Sequence, residues 1–146
     1  MGRTVGGDVR GMTILTSVDL RNQNLMLTRD LLAAGYHDKA IARLVRRGVL
    51  ERIRHGAYTY PDHWERLDPP GRRRLVALAV LRNARSPVAL CGHDAADVLN
   101  VPVWDPDEQT HVLRLDQRGG RREAGRADHR GEVRCEDLTV RSGSPR

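Results

Sequence analysis

Lys39, Arg43, Arg46, Arg47, Arg52, Arg54 and His55 are the residues of this chain whose types and spacing point most directly to a chemistry. Between positions 39 and 60, six permanent cations stand against one acid, Glu51. The local charge is +5 in a 146-residue chain whose total is +6. Of the 25 basic residues Lys39 is the single lysine, and the rest are arginines. An arginine fork pairs in bidentate fashion with phosphate oxygens and guanine edges. Such a concentration of charge is the electrostatic footprint of a surface for a polyanion, and double-stranded DNA is the expected partner.

The elements that must carry these residues are readable from local pattern. Thr28 is expected to cap a short helix whose buried side is Leu31, Leu32 and Ala34. Asp30 lies in its first turn, and Gly35 takes the left-handed exit. A second helix is expected at about 38–47, with Asp38 near its start and Gly48 just past its end. On it Ile41, Leu44 and Val45 form an apolar face, while Lys39, Arg43 and Arg46 recur at i, i+4 and i+7 with Arg47 beside them. Glycine between two such short helices is the spacing of a helix–turn–helix, whose second helix enters the major groove. Residues 49–54 and 57–60 then read as two strands joined at His55-Gly56, a tight hairpin. Placed after a recognition helix, that hairpin is a wing with Arg52, Arg54 and His55 at or near its tip. The bland alternative is a solvated helix face beside an ordinary hairpin. Turn glycine, two-faced helix and hairpin in one stretch favour DNA.

Composition bounds the rest. With 39% hydrophobic residues and no Phe, the chain has material for one modest, aliphatic core and a small appended segment. No apolar run approaches the ~20 residues of a membrane-spanning helix, and the N-terminus lacks a hydrophobic signal segment. A cytoplasmic protein without a membrane partner is expected. Cys91 and Cys135 lie far apart and outside any Cys-x-x-Cys context.

The run AGYHDKAIARLVRRGVLERIRHGAYTYPDHW resembles the N-terminal winged helix of AbiEi-type antitoxins, the DNA-binding partners in type IV toxin–antitoxin systems. The resemblance rests on Ala34-Gly35, Arg46-Arg47-Gly48, the alternation Leu50-Glu51-Arg52-Ile53-Arg54 and Gly56-Ala57-Tyr58. It extends to GHDAADVLNVPVW, where a small helix follows the winged domain in that family. It implies a regulator that represses its own operon and opposes a nucleotidyltransferase toxin. In relatives a segment like LTVRSG leads on to further chain, so this chain reads as C-terminally truncated.

Around this centre, residues 1–12 are expected to form a disordered leader, 13–65 the winged domain and 66–146 a small, incomplete α/β segment. A helix at about Ser17 to Met26 precedes the winged core, capped by Thr16 or Ser17. Residues 61–70, with three prolines, read as a connector. Arg72–Ala84 reads as a helix with Leu75, Leu78, Ala79 and Leu81 inward, its Arg72–Arg74 triplet set against the dipole of the first turn. Val88–Cys91 and Thr110–Leu115 read as strands, Asp94–Leu99 as a small helix, 116–130 as a loop or exposed hairpin, and Val133–Val140 as a last strand. Tyr58 or Tyr60 is expected to pack under the wing, and Trp64 and Trp104 to cover core edges.

Other chemistries find less support. His93 and Asp97 lie four apart on the small helix, with His111 and His129 as further imidazoles, but no HExxH or cysteine-rich pattern accompanies them. No metal site or cofactor is expected, and His93 is assigned to capping. Cys91 with His93 lacks the orienting third group of a nucleophilic pair, and Gly119-Gly120 lacks the strand–loop–helix context of a phosphate loop. No catalytic residues are assigned. The fold class expected is mainly α with a β-hairpin wing, a winged helix-turn-helix, followed by a small α/β segment. The function expected is a sequence-specific DNA-binding, antitoxin-like transcriptional regulator. The rivals are a plain winged-helix regulator without a toxin and a protein-binding remnant of a longer nuclease-like protein.

Overall fold

Gly35 and Gly48 end two consecutive helices in the same way, and that repeated stop shapes the first part of the chain. In a computed structural model, which describes residues 24–116, 118, 123–132 and 134, helix α1 runs Thr28–Ala33 and α2 runs Asp38–Arg46. Gly35 has φ +98° and Gly48 φ +72°. The Gly35 and Tyr36 amides donate back to the carbonyls of Leu32 and Leu31, and the Gly48 and Val49 amides to those of Val45 and Leu44. Both are Schellman closures, which satisfy carbonyls that a helix end leaves without partners. Helix starts are less regular. Thr28 is the first helical residue rather than the cap, because Leu27 occupies the capping position. Its amide donates to Asp30 Oδ2 at 3.0 Å. At α2 the His37 ring is the cap, accepting from the Ala40 amide at 3.1 Å.

Strands β1 (Met26–Leu27), β2 (Glu51–Arg54) and β3 (Ala57–Thr59) make an antiparallel sheet in the order β1-β3-β2. Strands β2 and β3 form the hairpin around His55-Gly56, with Glu51 opposite Thr59, Arg52 opposite Tyr58, Arg54 opposite Ala57, and a register shift between Arg52 and Arg54. Strand β1 corrects the helix expected to end at Met26: Leu25, Met26 and Leu27 are all buried, and the last two pair with Tyr58 and Ala57. Three successive apolar residues that are all inside suit an extended segment closing a sheet edge. The remainder of that expected helix, 17–23, lies outside the described residues, as does the expected leader. Met26, Leu31, Ile41, Leu44 and Leu50 form the core, with Tyr36, Val45, Val49, Tyr58 and Tyr60 packed on it. Leu32, expected inward, is exposed. The 61–70 connector is also corrected. Helix α3 spans Pro61–Arg66, with Pro61 in the first turn, where a missing amide hydrogen costs nothing and the ring pre-sets φ.

The chain divides into two units at Asp68 and Pro69. In the second, helix α4 (Pro69–Asn83) packs on α5 (Gly92–Val98) and on strands β4 (Val88–Leu90) and β5 (Thr110–Arg114). Its inward residues are Leu75, Ala77, Ala79 and Val80 rather than the expected Leu75, Leu78, Ala79 and Leu81. Because α4 begins at Pro69, the Arg72–Arg74 triplet lies beyond the first three helical positions. Arg73 forms a bidentate pair with buried Asp97, Nε to Oδ2 at 2.7 Å and Nη2 to Oδ1 at 3.0 Å. Beyond Val98, the last residue of α5, Asn100 (φ +57°) makes the same closure as follows α1 and α2. Strand β6 (Arg126–His129) corrects the loop expected over 116–130, because it pairs in parallel with β5 and gives the sheet order β4-β5-β6. Trp104, expected to cover a core edge, is 96% exposed. Gly119, Gly120, Cys135 and nearly all of the strand expected at 133–140 lie outside the described residues.

Candidate nucleic-acid interface

The nine residues of α2 are distributed by helical geometry alone. At about 100° per residue, Ile41, Leu44 and Val45 fall within an arc of about 100°. Lys39, Arg43, Arg46 and Arg47 fall within an arc of similar width on the opposite side. Burial agrees with this division. Ile41 and Leu44 are buried, whereas Lys39, Arg43, Arg46 and Arg47 are exposed. Among the described residues none of these four cations has an acidic side chain within ion-pair distance. The negative end of the helix dipole lies nearest Arg43, Arg46 and Arg47, which favours their charge.

The hairpin follows α2 after only four residues. Arg52 is exposed and Arg54 half-buried, opposite Tyr58 and Ala57. Arg52 Nη2 donates to His55 Nδ1 at 3.1 Å. Since a guanidinium has no acceptor, this bond fixes the imidazole as the tautomer with hydrogen on Nε2. His55 thus holds the Arg52 fork in place, and the charge of the hairpin comes from the two arginines. Thr28 ties the turn to α1, its amide donating to the Gly56 carbonyl at 3.0 Å. The register shift at Ile53 twists the strand that carries both arginines.

The other candidate groups arrange themselves differently from the sequence expectation. Asp97 does not face His93, because Arg73 holds both of its carboxylate oxygens. His93 lies inside α5 rather than at its cap, which is Cys91. It bonds through Nε2 to the Gln109 carbonyl at 3.1 Å. Around it gather His111 and Asp107, three side chains able to hold a metal ion. Asp107 was not singled out from sequence; the signal present was its i, i+4 spacing to His111. The Gln109 amide and then the His111 ring, both donating to it, hold the Asp107 carboxyl below the usual range. Burial pushes the Cys91 thiol up, with nearby Asp94 adding to the effect, the opposite of what a nucleophilic cysteine requires. Burial likewise raises Asp94, against the hydrogen bond it receives from the His111 amide.

A small core of short helices followed at once by a twisted basic hairpin is a mixed α/β arrangement compatible with a winged helix. Residues 14–61, a third of the chain, match the model of the family described as transcriptional regulator, AbiEi antitoxin. The description is that of a regulator rather than an enzyme. No curated protein matches the chain. Among the described residues no helix is long and apolar enough to cross a membrane.

Proposed function

We propose that this protein binds duplex DNA in a sequence-specific manner through its first unit and represses transcription of its own operon in the cytoplasm. In this reading Lys39, Arg43, Arg46 and Arg47 present α2 to the major groove. Arg52 and Arg54, with His55 steadying the first of them, reach backbone phosphates or the adjacent minor groove. The observation that carries the reading is the two-faced α2: its cations lie opposite the core-facing side and, among the described residues, have no acidic partners. By resemblance to the antitoxin family, the same protein opposes a nucleotidyltransferase toxin.

The test is a mobility shift on the DNA upstream of its own gene at two salt concentrations, comparing wild type with Arg43→Ala/Arg47→Ala. Six cations meeting phosphates give a slope of log K against log salt of about −5. Equal binding by the two proteins would remove α2 from the interface. A neighbouring nucleotidyltransferase gene whose product is toxic alone and silenced by this protein supports the antitoxin role, whereas its absence leaves a plain regulator.

A further inference from the structure

The second unit gathers side chains whose chemistry has no part in DNA recognition. His93 projects from the first turn of α5, Asp107 from the connection between α5 and β5, and His111 from β5. One donor atom from each lies within 4.8 Å of the others. His111 Nε2 stands 2.9 Å from Asp107 Oδ2, and His93 Nε2 3.8 Å from Oδ1 of the same carboxylate. The two imidazoles meet edge to face with ring centres 4.8 Å apart. Ligands placed 2.0–2.2 Å from a tetrahedral ion stand about 3.4 Å from one another. The donors therefore already bracket that spacing, and small side-chain rotations would complete a facial set.

We propose that His93, Asp107 and His111 form a binding site for a divalent transition-metal ion of the zinc class, with its remaining position open to water. Two imidazoles and one carboxylate are a borderline nitrogen–oxygen set that suits zinc or cobalt. Calcium and magnesium take oxygen ligands instead. The surroundings orient the ligands as metal sites require. His111 Nδ1 lies 2.7 Å from His129 Nε2 on β6. With an ion bound, His111 changes tautomer: the hydrogen that its Nε2 donates to Asp107 in the free protein is carried instead on Nδ1 and donated to His129, which leaves the Nε2 lone pair for the ion. The backbone beneath is fixed as well, because the His111 amide donates to buried Asp94 at 2.6 Å. His93 exchanges its hydrogen bond to the Gln109 carbonyl for the bond to the ion. The site joins three segments, so the ion fastens the 99–109 connection, which bears Leu99, Val101 and Trp104 on its surface, to α5 and β5.

This inference stands apart from the DNA reading, and its test uses the full chain stripped with a chelator and titrated with Co²⁺ and Zn²⁺. Expected are one equivalent bound, visible tetrahedral Co²⁺ bands without a thiolate charge-transfer band, and a rise in the melting temperature of the second unit. Asp107→Asn lies in an exposed connection and leaves the fold intact by circular dichroism; it and His111→Ala abolish uptake. His129→Gln, which removes only the orienting partner, weakens binding by about 10–100-fold, and Cys91→Ser binds as wild type. The proposal is overturned if wild type takes up no metal, leaving a hydrogen-bonded His–Asp cluster. A thiolate band, or undiminished binding by folded Asp107→Asn, overturns it equally.

Discussion

Replacing Arg43 and Arg47 together with alanine separates a phosphate-binding α2 from a merely solvated one. Both side chains are exposed, and neither has an acidic partner among the described residues. Alanine is at least as good a helix former, so stability should move by no more than about 0.5 kcal/mol. Binding, by contrast, should change in a way only counterion release produces. In the proposed reading Lys39, Arg43, Arg46, Arg47, Arg52 and Arg54 would each meet a phosphate, six contacts for a slope near −5.4, and the double variant would retain four, for a slope near −3.6. Between about 50 and about 200 mM salt, wild type then loses affinity about 2,000-fold and the variant about 150-fold. Fluorescence anisotropy with a labelled duplex across that range measures both lines, and urea unfolding checks the fold. Parallel lines with equal slopes would refute the assignment of these two arginines to the DNA backbone, whatever the absolute affinities.

Gly48→Ala forces a Cβ into left-handed backbone (φ +72°) with open space around it. It should therefore cost about 1–2 kcal/mol in denaturant unfolding, from strain alone. Arg73→Met strands the buried Asp97 carboxylate and should cost about 3 kcal/mol, while adding Asp97→Leu should restore most of it in the same assay. The Arg114 guanidinium holds the Asp116 carboxyl down at about 2, and NMR titration should find it there and moving back toward 3.8 in Arg114→Met. A carboxyl lowered on folding favours the folded state above its ordinary value. The Arg114–Asp116 contribution should therefore be complete above about pH 4 and fade as pH falls toward 2.

What could be read in the amino acids was whatever the chain decides within a few residues. The stops at Gly35, Gly48 and Gly56 follow from backbone sterics at one position. The two faces of α2 follow from a period of 3.6 residues, and the His55-Gly56 hairpin from alternation on either side of a turn pair. The candidate cations were legible for the same reason, since one short helix and one hairpin carry all of them. Contacts between distant residues settled the rest. Leu25-Met26-Leu27 has no pattern that separates a strand from a helix end, and the free edge of β3, some 30 residues later, made it a strand. Asp97 was equally placed to face His93 along α5 or Arg73 across on α4. The bidentate fork prevailed because a buried carboxylate needs a full countercharge. Strand β6 exists because β5 offers it a parallel edge, and Asp107 reaches His93 because the connection between α5 and β5 folds back. Short-range sterics and periodicity are written into sequence, but which buried charge or open strand edge finds which partner depends on packing in three dimensions.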